Sequence, residues 1–326
     1  MAQKRILGIG SALVDLLTQI QDEQILEQLN LPKGSMHYVD AATSVKIGEF
    51  LAPHGTQKAA GGSAANTVSA LARLGIEAGF LSKVGKDELG QFFEKEMTDC
   101  HVTPQLLRSE TPSGRVQAVV TPDGERTFAT CLGASAELSD KDIKPDLFDG
   151  WDIFYVEGYL VANPTMLQKA IDTAKAQGLK IAIDLASYNV VEESRDFLLG
   201  LIENQVDIVF ANEQEARALT GMEAEDALHF IAERCEIAVV KVGKQGAYIQ
   251  RGKEVVKVGT IESQVVDTTG AGDMWAAGFL AGLVKGEPLE KCGKIGAIVA
   301  GNIIEVVGAK MDDQRWQKIY DMIGNL

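Results

Sequence analysis

Residues 267–273 read Asp-Thr-Thr-Gly-Ala-Gly-Asp, and the apolar run MWAAGFLAGLV follows directly at residues 274–284. The glycines allow a ligand to approach the backbone closely. The N–H groups of Ala271, Gly272 and Asp273 are unpaired donors at the start of the predicted helix, where the helix dipole favours an anion. Asp273 would either complement that dipole or act as a base beside a bound phosphoryl group.

Outside this stretch, strand patterns alternate with helix patterns along most of the chain. Strands are predicted at 5–15, 76–85, 151–160, 179–186, 206–212 and 237–243, and helices at 61–75, 87–100, 164–178, 194–205, 213–221, 267–286 (with its glycine turn), 289–306 and 313–323. This alternation is typical of parallel strands with helical crossovers, whose ligands bind at the carboxyl edge of the sheet. We therefore expect one α/β domain over residues 1–326, with a three-layer α/β/α fold and a mainly parallel central sheet.

One stretch breaks the alternation. Two β-rich runs within residues 113–132 flank Thr121-Pro122-Asp123-Gly124, which is a turn signal. No helix pattern follows, so we predict a hairpin in an appended sheet that forms a small lid over a cleft. The lid is expected to use about residues 12–42 and 111–134. Phe128 in this hairpin would either cover a ligand ring or pack within the lid.

The composition limits which binding partners and which cellular location are expected. The 326 residues carry a net charge of −15 and a pI of about 4.8, which disfavours nucleic-acid binding. No apolar run approaches the roughly 20 residues of a membrane helix. The four cysteines form no C-x-x-C pair and the four histidines show no metal-ligand spacing. A cytoplasmic protein with reduced thiols is expected.

Two glycine-rich stretches and one strand end are further candidates. Gly61 and Gly62 begin a predicted helix and could bind a ligand or act as a hinge. Asn212 ends a buried strand with Glu215 three residues on, so Asn212 could bind a ligand or cap the helix, while Glu215 could lie on a solvated face. Gly8-Ile9-Gly10 lacks the third glycine of a dinucleotide fingerprint, since Leu13 stands there.

Together, DTTGAGD, the early Gly61-Gly62 and the Asn212/Glu215 pair resemble the PfkB family of ribokinase-like carbohydrate and nucleoside kinases. The resemblance covers nearly the whole chain, and the motifs occur in the family's order. It implies that Asp273 is the catalytic base and that the Gly270-Ala271-Gly272 backbone is the anion hole. It also implies ATP as phosphoryl donor, with Asn212 and Glu215 organising Mg²⁺ and the phosphates largely through water.

The resemblance assigns further roles. It places Asp15, Gly61, Gly62 and Asn66 at the acceptor, where a carboxylate would suit two vicinal hydroxyls. Glu157 would face the substrate or form a structural ion pair. On the nucleotide side it places Lys241, Gly243, Gly246 and Asn302, the last near adenine. For Lys241, Gly243 and Gly246 the alternative is a plain turn after the strand. For Asn302 it is a polar residue on the face of a helix. Asp267 matches a position that helps hold a monovalent cation in some members, so K⁺ dependence is left open.

The resemblance implies transfer of the γ-phosphate of ATP to a hydroxyl, expected to be primary, of a sugar or nucleoside. Residues 124–135, 156–160 and 210–216 look most like bacterial adenosine-kinase-like members, which favours an adenosine-like nucleoside. A free sugar of the ribose or fructose type is the alternative. A non-catalytic nucleotide-binding protein is a distant one, because such a protein would be expected to have lost Asp273. Oligomeric state stays open, including a homodimer.

Overall fold

The computed structural model describes residues 4–326. Its strands are β1 (Ile6–Ile9), β2 (Leu13–Gln19), β3 (Met36–Tyr38), β4 (Gln57–Gly61), β5 (Ala78–Gly85), β6 (Val102–Ser109), β7 (Gly114–Val120), β8 (Arg126–Cys131), β9 (Ile153–Glu157), β10 (Lys180–Asp184), β11 (Ile208–Asn212), β12 (Ile237–Lys241), β13 (Ala247–Arg251) and β14 (Glu254–Val258). Nine of them form one sheet in the order β14-β13-β12-β11-β10-β9-β1-β5-β6. Neighbouring strands are parallel from β12 to β6, while β13 and β14 add an antiparallel edge.

Helices cover both faces of this sheet. The first two helices, α1 (Gln24–Gln28) and α2 (Ala41–Leu51), pack on the smaller sheet instead. Those on the large sheet are α3 (Ser63–Arg73), α4 (Glu88–Asp99), α5 (Pro164–Ala176), α6 (Tyr188–Glu193), α7 (Arg195–Asn204), α8 (Glu213–Thr220), α9 (Ala224–Ala232), α10 (Ala271–Val284), α11 (Leu289–Ile303) and α12 (Asp313–Gly324). Alternate residues along each strand point into two hydrophobic cores, one on each face of the sheet. Tyr155 and Phe210 pack against α3 and α10 to α12 on one face, and Phe154 and Val209 pack against α5 to α9 on the other. The predicted three-layer fold is therefore confirmed.

The smaller sheet has five strands in the order β3-β8-β7-β2-β4. Its hairpin, β7 and β8, closes through the predicted turn at residues 121–124. One face is covered by α1 and α2 through apolar residues such as Ile47, Leu51 and Val119. Because side chains alternate along a strand, Asp15 and Phe128 lie on the opposite face, which is turned towards the cleft. The ranges predicted for the lid contain four of these strands, while β4 lies outside them.

The first predicted strand is divided between the two sheets. β1 belongs to the large sheet and β2 to the small one, so the chain crosses at residues 10–12. At Gly10, a Cβ would lie 2.4 Å from Oε2 of Glu157, so only glycine fits the crossing. The strand β6 was not predicted because Pro104 interrupts its pattern, and it occupies the edge of the sheet, where proline is tolerated.

Polar side chains end four neighbouring parallel strands. Glu157, Asp184, Asn212 and Lys241 are the last residues of β9, β10, β11 and β12. They share the carboxyl edge of the large sheet, which faces the small sheet and the start of α10. Among residues 4–326, no helix is both long and apolar enough to span a bilayer.

Candidate active site

The start of α10 is built by a glycine turn. Gly270 precedes the helix with φ +74°, and a Cβ there would lie 2.9 Å from the Cβ of Ala309. The N–H of Ala271 donates to the carbonyl of Thr268 at 3.1 Å, so this predicted anion donor is already used within the turn. The N–H groups of Gly272 and Asp273 have no acceptor within the described chain. The predicted anion site thus has two free amides among the described residues where three were expected.

The carboxylate of Asp273 is held by the first turn of α3. Its Oδ1 accepts a hydrogen bond from Oγ of Ser63 at 2.7 Å, and its Oδ2 accepts one from Nδ2 of Asn66 at 3.0 Å. Burial raises the pKa of Asp273 to about 6, opposed by these two donors. A carboxylate with that pKa is ionised at neutral pH and can still accept a proton, which suits a general base.

A buried ammonium lies beside the free amides. Nζ of Lys241 is 3.0 Å from Oδ2 of Asp184, and it is 3.1 Å from the position that a Cβ of Gly272 would occupy. Burial alone would lower the pKa of Lys241, but the carboxylates of Asp184 and Glu215 outweigh it and raise the pKa. Two amides and a fixed cation therefore converge where a phosphoryl group would be bound.

Asn212 and Glu215 form a capping box at the start of α8. The side chain of Asn212 accepts from the N–H groups of Gln214 and Glu215, so the helix-cap alternative is what the structure shows. Glu215 is not on a solvated face, because it is only 3% exposed. Its carboxylate accepts from the N–H and the Nδ2 of Asn212 at 2.7 and 2.6 Å. Burial, with the nearby Asp184, raises the pKa of Glu215 to about 7.

The buried carboxylates of Glu215 and Asp184 are compatible with a hydrated divalent ion. Residues 4–326 contain no group of three or more His, Cys, Asp or Glu side chains that could hold a metal by themselves. Mg²⁺ usually keeps several waters and takes one or two protein carboxylates. Asp184 at the end of β10 and Glu215 in the first turn of α8 meet that requirement, so the donor set fits Mg²⁺ held partly through water.

The diglycine lies between the lid and α3. Gly61 ends β4, and Gly62 has φ +102°, where a Cβ would lie 2.2 Å from the carbonyl oxygen of Ser11. Glu157 fixes the neighbouring backbone by accepting from the N–H of Ala64 at 3.1 Å and of Ser11 at 3.4 Å. Burial raises the pKa of Glu157 to about 7. No ion pair of Glu157 with a basic side chain is found in the described chain.

On the acceptor side of the cleft, fewer polar side chains have hydrogen-bond partners within the described chain. The carboxylate of Asp15 lies over Gly61, since a Cβ on Gly61 would be 2.5 Å from Oδ2. Burial raises the pKa of Asp15 to about 6, although Lys310 and Arg126 oppose the shift. Phe128, Met36 and Tyr38 share the lid face with Asp15, and Tyr38 is 60% exposed. Asn66 also keeps a buried Oδ1 without a protein partner within residues 4–326.

Arg126 joins the lid to the DTTGAGD turn. Its Nη1 is 2.9 Å from Oδ2 of Asp267, while its buried Nη2 has no partner among the described residues. Asp267 also accepts from the N–H groups of Gly308 at 2.7 Å and Thr269 at 3.0 Å. Burial raises the pKa of Asp267, but these donors and Arg126 outweigh it, and the pKa is lowered. Its predicted contact with a monovalent cation stays a prediction.

The remaining predicted residues lie farther along the nucleotide side. Gly243 and Gly246 form the turn between β12 and β13 with φ +53° and +96°, and a Cβ on Gly246 would lie 1.8 Å from the carbonyl oxygen of Val258. The structure does not open Asn302 to the cleft: its side chain is 0% exposed and donates to the carbonyl of Ile298. Contact of Asn302 with adenine stays a prediction.

Three residues of the site were missed in the sequence. Ser63 contacts Asp273, Asp184 pairs with Lys241, and Arg126 reaches Asp267 from the lid. Asp184 could have been found, because it ends the buried strand pattern at 179–186 just as Asn212 ends the next one. Ser63 and Arg126 had no such signal, since each acts across sequence separations of more than a hundred residues.

The chain was compared with known proteins. The model of the pfkB family of carbohydrate kinases matches residues 34–315. The solved structure of adenosine kinase from Sinorhizobium meliloti is 36% identical, with a TM-score of 0.86, covering 98% of this chain and 99% of that one. A probable sugar kinase from Rhizobium etli CFN 42 is 34% identical, with the same TM-score and coverage. An uncharacterized sugar kinase from Archaeoglobus fulgidus is 32% identical over 253 residues, which are 74% of this chain and 96% of the relative.

Proposed function

The chain belongs to the pfkB family of carbohydrate kinases, and we propose that it transfers the γ-phosphoryl group of ATP to the primary hydroxyl of an adenosine-like nucleoside. Family membership makes it an ATP-dependent phosphotransferase with an alcohol acceptor and a divalent metal requirement. One observation carries the assignment to this cleft. The Asp273 carboxylate lies in the same helix start as two free amides, beside the ammonium of Lys241.

The proposed chemistry follows from that arrangement. The acceptor oxygen forms a bond to the γ-phosphorus while its proton moves to the carboxylate of Asp273. The bond between the γ-phosphorus and the bridging oxygen breaks, and ADP leaves with the electron pair. The N–H groups of Gly272 and Asp273, together with Lys241, stabilise charge on the phosphoryl oxygens.

The metal is assigned to the strand edge. Glu215, with Asp184 nearby, would hold Mg²⁺ largely through water, and the ion would neutralise phosphate charge when bound. Asn212 orients Glu215 through its backbone and side-chain amides. Gly243, Gly246 and Asn302 are proposed for the nucleoside part of ATP. A K⁺ requirement at Asp267 and assembly as a homodimer remain predictions.

The acceptor is assigned to the lid side. Asp15 offers a carboxylate without a protein hydrogen bond in the described chain, and Asn66 offers an unpaired Oδ1. Both are acceptors that sugar hydroxyls can satisfy. Tyr38, exposed on the lid face, and Phe128 supply aromatic surface suited to stacking on a base. This aromatic surface, and the likeness to an adenosine kinase, favour a nucleoside over a free sugar.

A coupled assay of ADP release tests the proposal. Adenosine, other nucleosides, ribose, fructose and sugar phosphates are offered one at a time with ATP and Mg²⁺, and a reaction without acceptor gives the background. Adenosine should give the highest kcat/KM. Preference for ribose or fructose would shift the assignment to a free-sugar kinase. ATP binding with no turnover on any acceptor would indicate the non-catalytic alternative.

A further inference from the structure

Ser63 is hydrogen-bonded to the carboxylate that is proposed as the catalytic base. It is the first residue of α3, and its Oγ donates to Oδ1 of Asp273 at 2.7 Å. Nδ2 of Asn66 donates a hydrogen bond to the other carboxylate oxygen, Oδ2, at 3.0 Å. Both oxygens of the proposed base are thus hydrogen-bonded by one turn of one helix.

The Ser63 hydroxyl has the same chemistry as the acceptor. A primary hydroxyl must donate a hydrogen bond to the Asp273 carboxylate before it attacks. Ser63 makes that type of contact already, with a length typical of an O–H donor to a charged oxygen. Each carboxylate oxygen of Asp273 has two lone pairs, so an acceptor hydroxyl or a water can bind Asp273 only in the directions that Ser63 and Asn66 leave open.

The position of Ser63 also depends on the lid. The lid strand β4 ends at Gly61, and Gly62 connects it directly to Ser63. The next residue, Ala64, is fixed to Glu157 through its N–H. Ser63 is therefore joined to the lid sheet by one positive-φ glycine, while the residue that follows it is anchored to the end of β9.

We infer that Ser63 is a positioning residue that orients the Asp273 carboxylate towards the acceptor and limits its use by water. The inference rests on the proposed function. Ser63 would then affect how ATP is divided between transfer to the acceptor and wasteful hydrolysis by water. It would act through Asp273, without contacting the reacting atoms itself.

The test compares ADP release without acceptor to ADP release with saturating adenosine. In Ser63→Ala the ratio should rise by about tenfold, the scale of one hydrogen bond to a charged group. Ser63→Thr keeps the hydroxyl and should restore a low ratio. Ser69→Ala removes a hydroxyl from the same helix, away from Asp273, and should leave the ratio unchanged.

A pH profile separates positioning from a purely structural effect. The Ser63 hydrogen bond lowers the pKa of Asp273, so Ser63→Ala should move the acid limb of kcat to higher pH. Other groups that bear on Asp273 are unchanged in the variant and cannot produce the shift: Asp184, Lys241, Tyr155, Glu157 and Tyr159.

Failure of this inference is distinguishable from failure of the proposed function. Wild-type protein that transfers phosphate to no acceptor would contradict both. Wild-type transfer together with an unchanged ratio and an unchanged acid limb in a folded Ser63→Ala variant would contradict the role of Ser63 alone. If Ser63→Ala is unstable, a high ratio in Ser63→Thr would equally overturn the inference, because the hydroxyl would then be insufficient.

Discussion

The two sides of the cleft differ in how completely their polar side chains are paired. The transfer side is the part of the cleft formed by the start of α10 and the ends of β10 to β12. There Lys241 forms an ion pair with Asp184, Glu215 is hydrogen-bonded to Asn212, and both carboxylate oxygens of Asp273 accept hydrogen bonds. On the lid side, Asp15 has no protein hydrogen bond in the described chain and Tyr38 is 60% exposed.

Under the proposed function, this difference corresponds to a division between groups that carry out the chemistry and groups that recognise the acceptor. Groups that stabilise developing charge work best when fixed in advance, since they need not reorganise during the reaction. Groups that recognise the acceptor gain most when the ligand itself completes their hydrogen bonds. Variants on the transfer side should therefore lower kcat, and variants on the lid side should raise the KM of the acceptor.

The largest effect is expected from Asp273→Asn. Loss of the base should lower kcat by roughly two to four orders of magnitude, while ATP binding, measured by calorimetry, stays close to wild type. A variant that keeps more than about a tenth of wild-type kcat, outside the usual range for a positioned base, would remove Asp273 from this role.

Lys241→Met should follow, with kcat lower by about 10²–10³, the scale of losing one preorganised charge partner. The change also leaves Asp184 buried without its partner, which destabilises the fold. The double variant Lys241→Met/Asp184→Asn is compared with the single variant Asp184→Asn, because Asp184 is also proposed to hold Mg²⁺. If the double variant recovers thermal stability and its kcat is still well below that of Asp184→Asn, Lys241 acts directly on the phosphoryl charge, whereas equal kcat in the two variants would reduce Lys241 to neutralising Asp184.

On the lid side, Asp15→Asn should raise the KM for the acceptor by roughly 10- to 100-fold, the cost of weakening hydrogen bonds to a charged group. The KM for ATP should change little, because Asp15 lies on the lid sheet. Initial rates with each substrate varied in turn measure both. A rise in the KM for ATP alone would contradict the division between the two sides.

The pH dependence should give the smallest effect. Burial raises the pKa of Asp273 to about 6, and the base works only when deprotonated. Activity is therefore present above that pKa and lost as pH falls through it, with kcat about tenfold lower at pH 5 than at pH 7. A kcat that is level down to pH 4 would show that no group of raised pKa limits the reaction.

The sequence predicted the transfer side better than the lid side. The segment 267–273 carries its helix start and its carboxylate within seven residues, so local physics sufficed to predict the glycine turn and the helix start that the structure shows there. Even so, the amide of Ala271 proved to be used by Thr268, because turn geometry decides which amides stay free. The partners of these residues come from other strands and could not be read from one segment.

The lid depends on contacts between distant segments. The strand β4 was missed because residues 57–61 have little strand character, and only pairing with β2 defines them. Arg126 belongs to the site through one ion pair with Asp267, 141 residues away in sequence. Strand alternation placed Phe128 correctly in a hairpin, but it did not reveal which face is turned towards the cleft.

The most direct test of the central claim is the identity of the product made from ATP and adenosine, followed by phosphorus NMR. The wild-type protein should make a new phosphomonoester on the primary hydroxyl together with an equal amount of ADP, and the Asp273→Asn variant should make none. Release of inorganic phosphate and ADP alone, or a product formed equally by the Asp273→Asn variant, would contradict it.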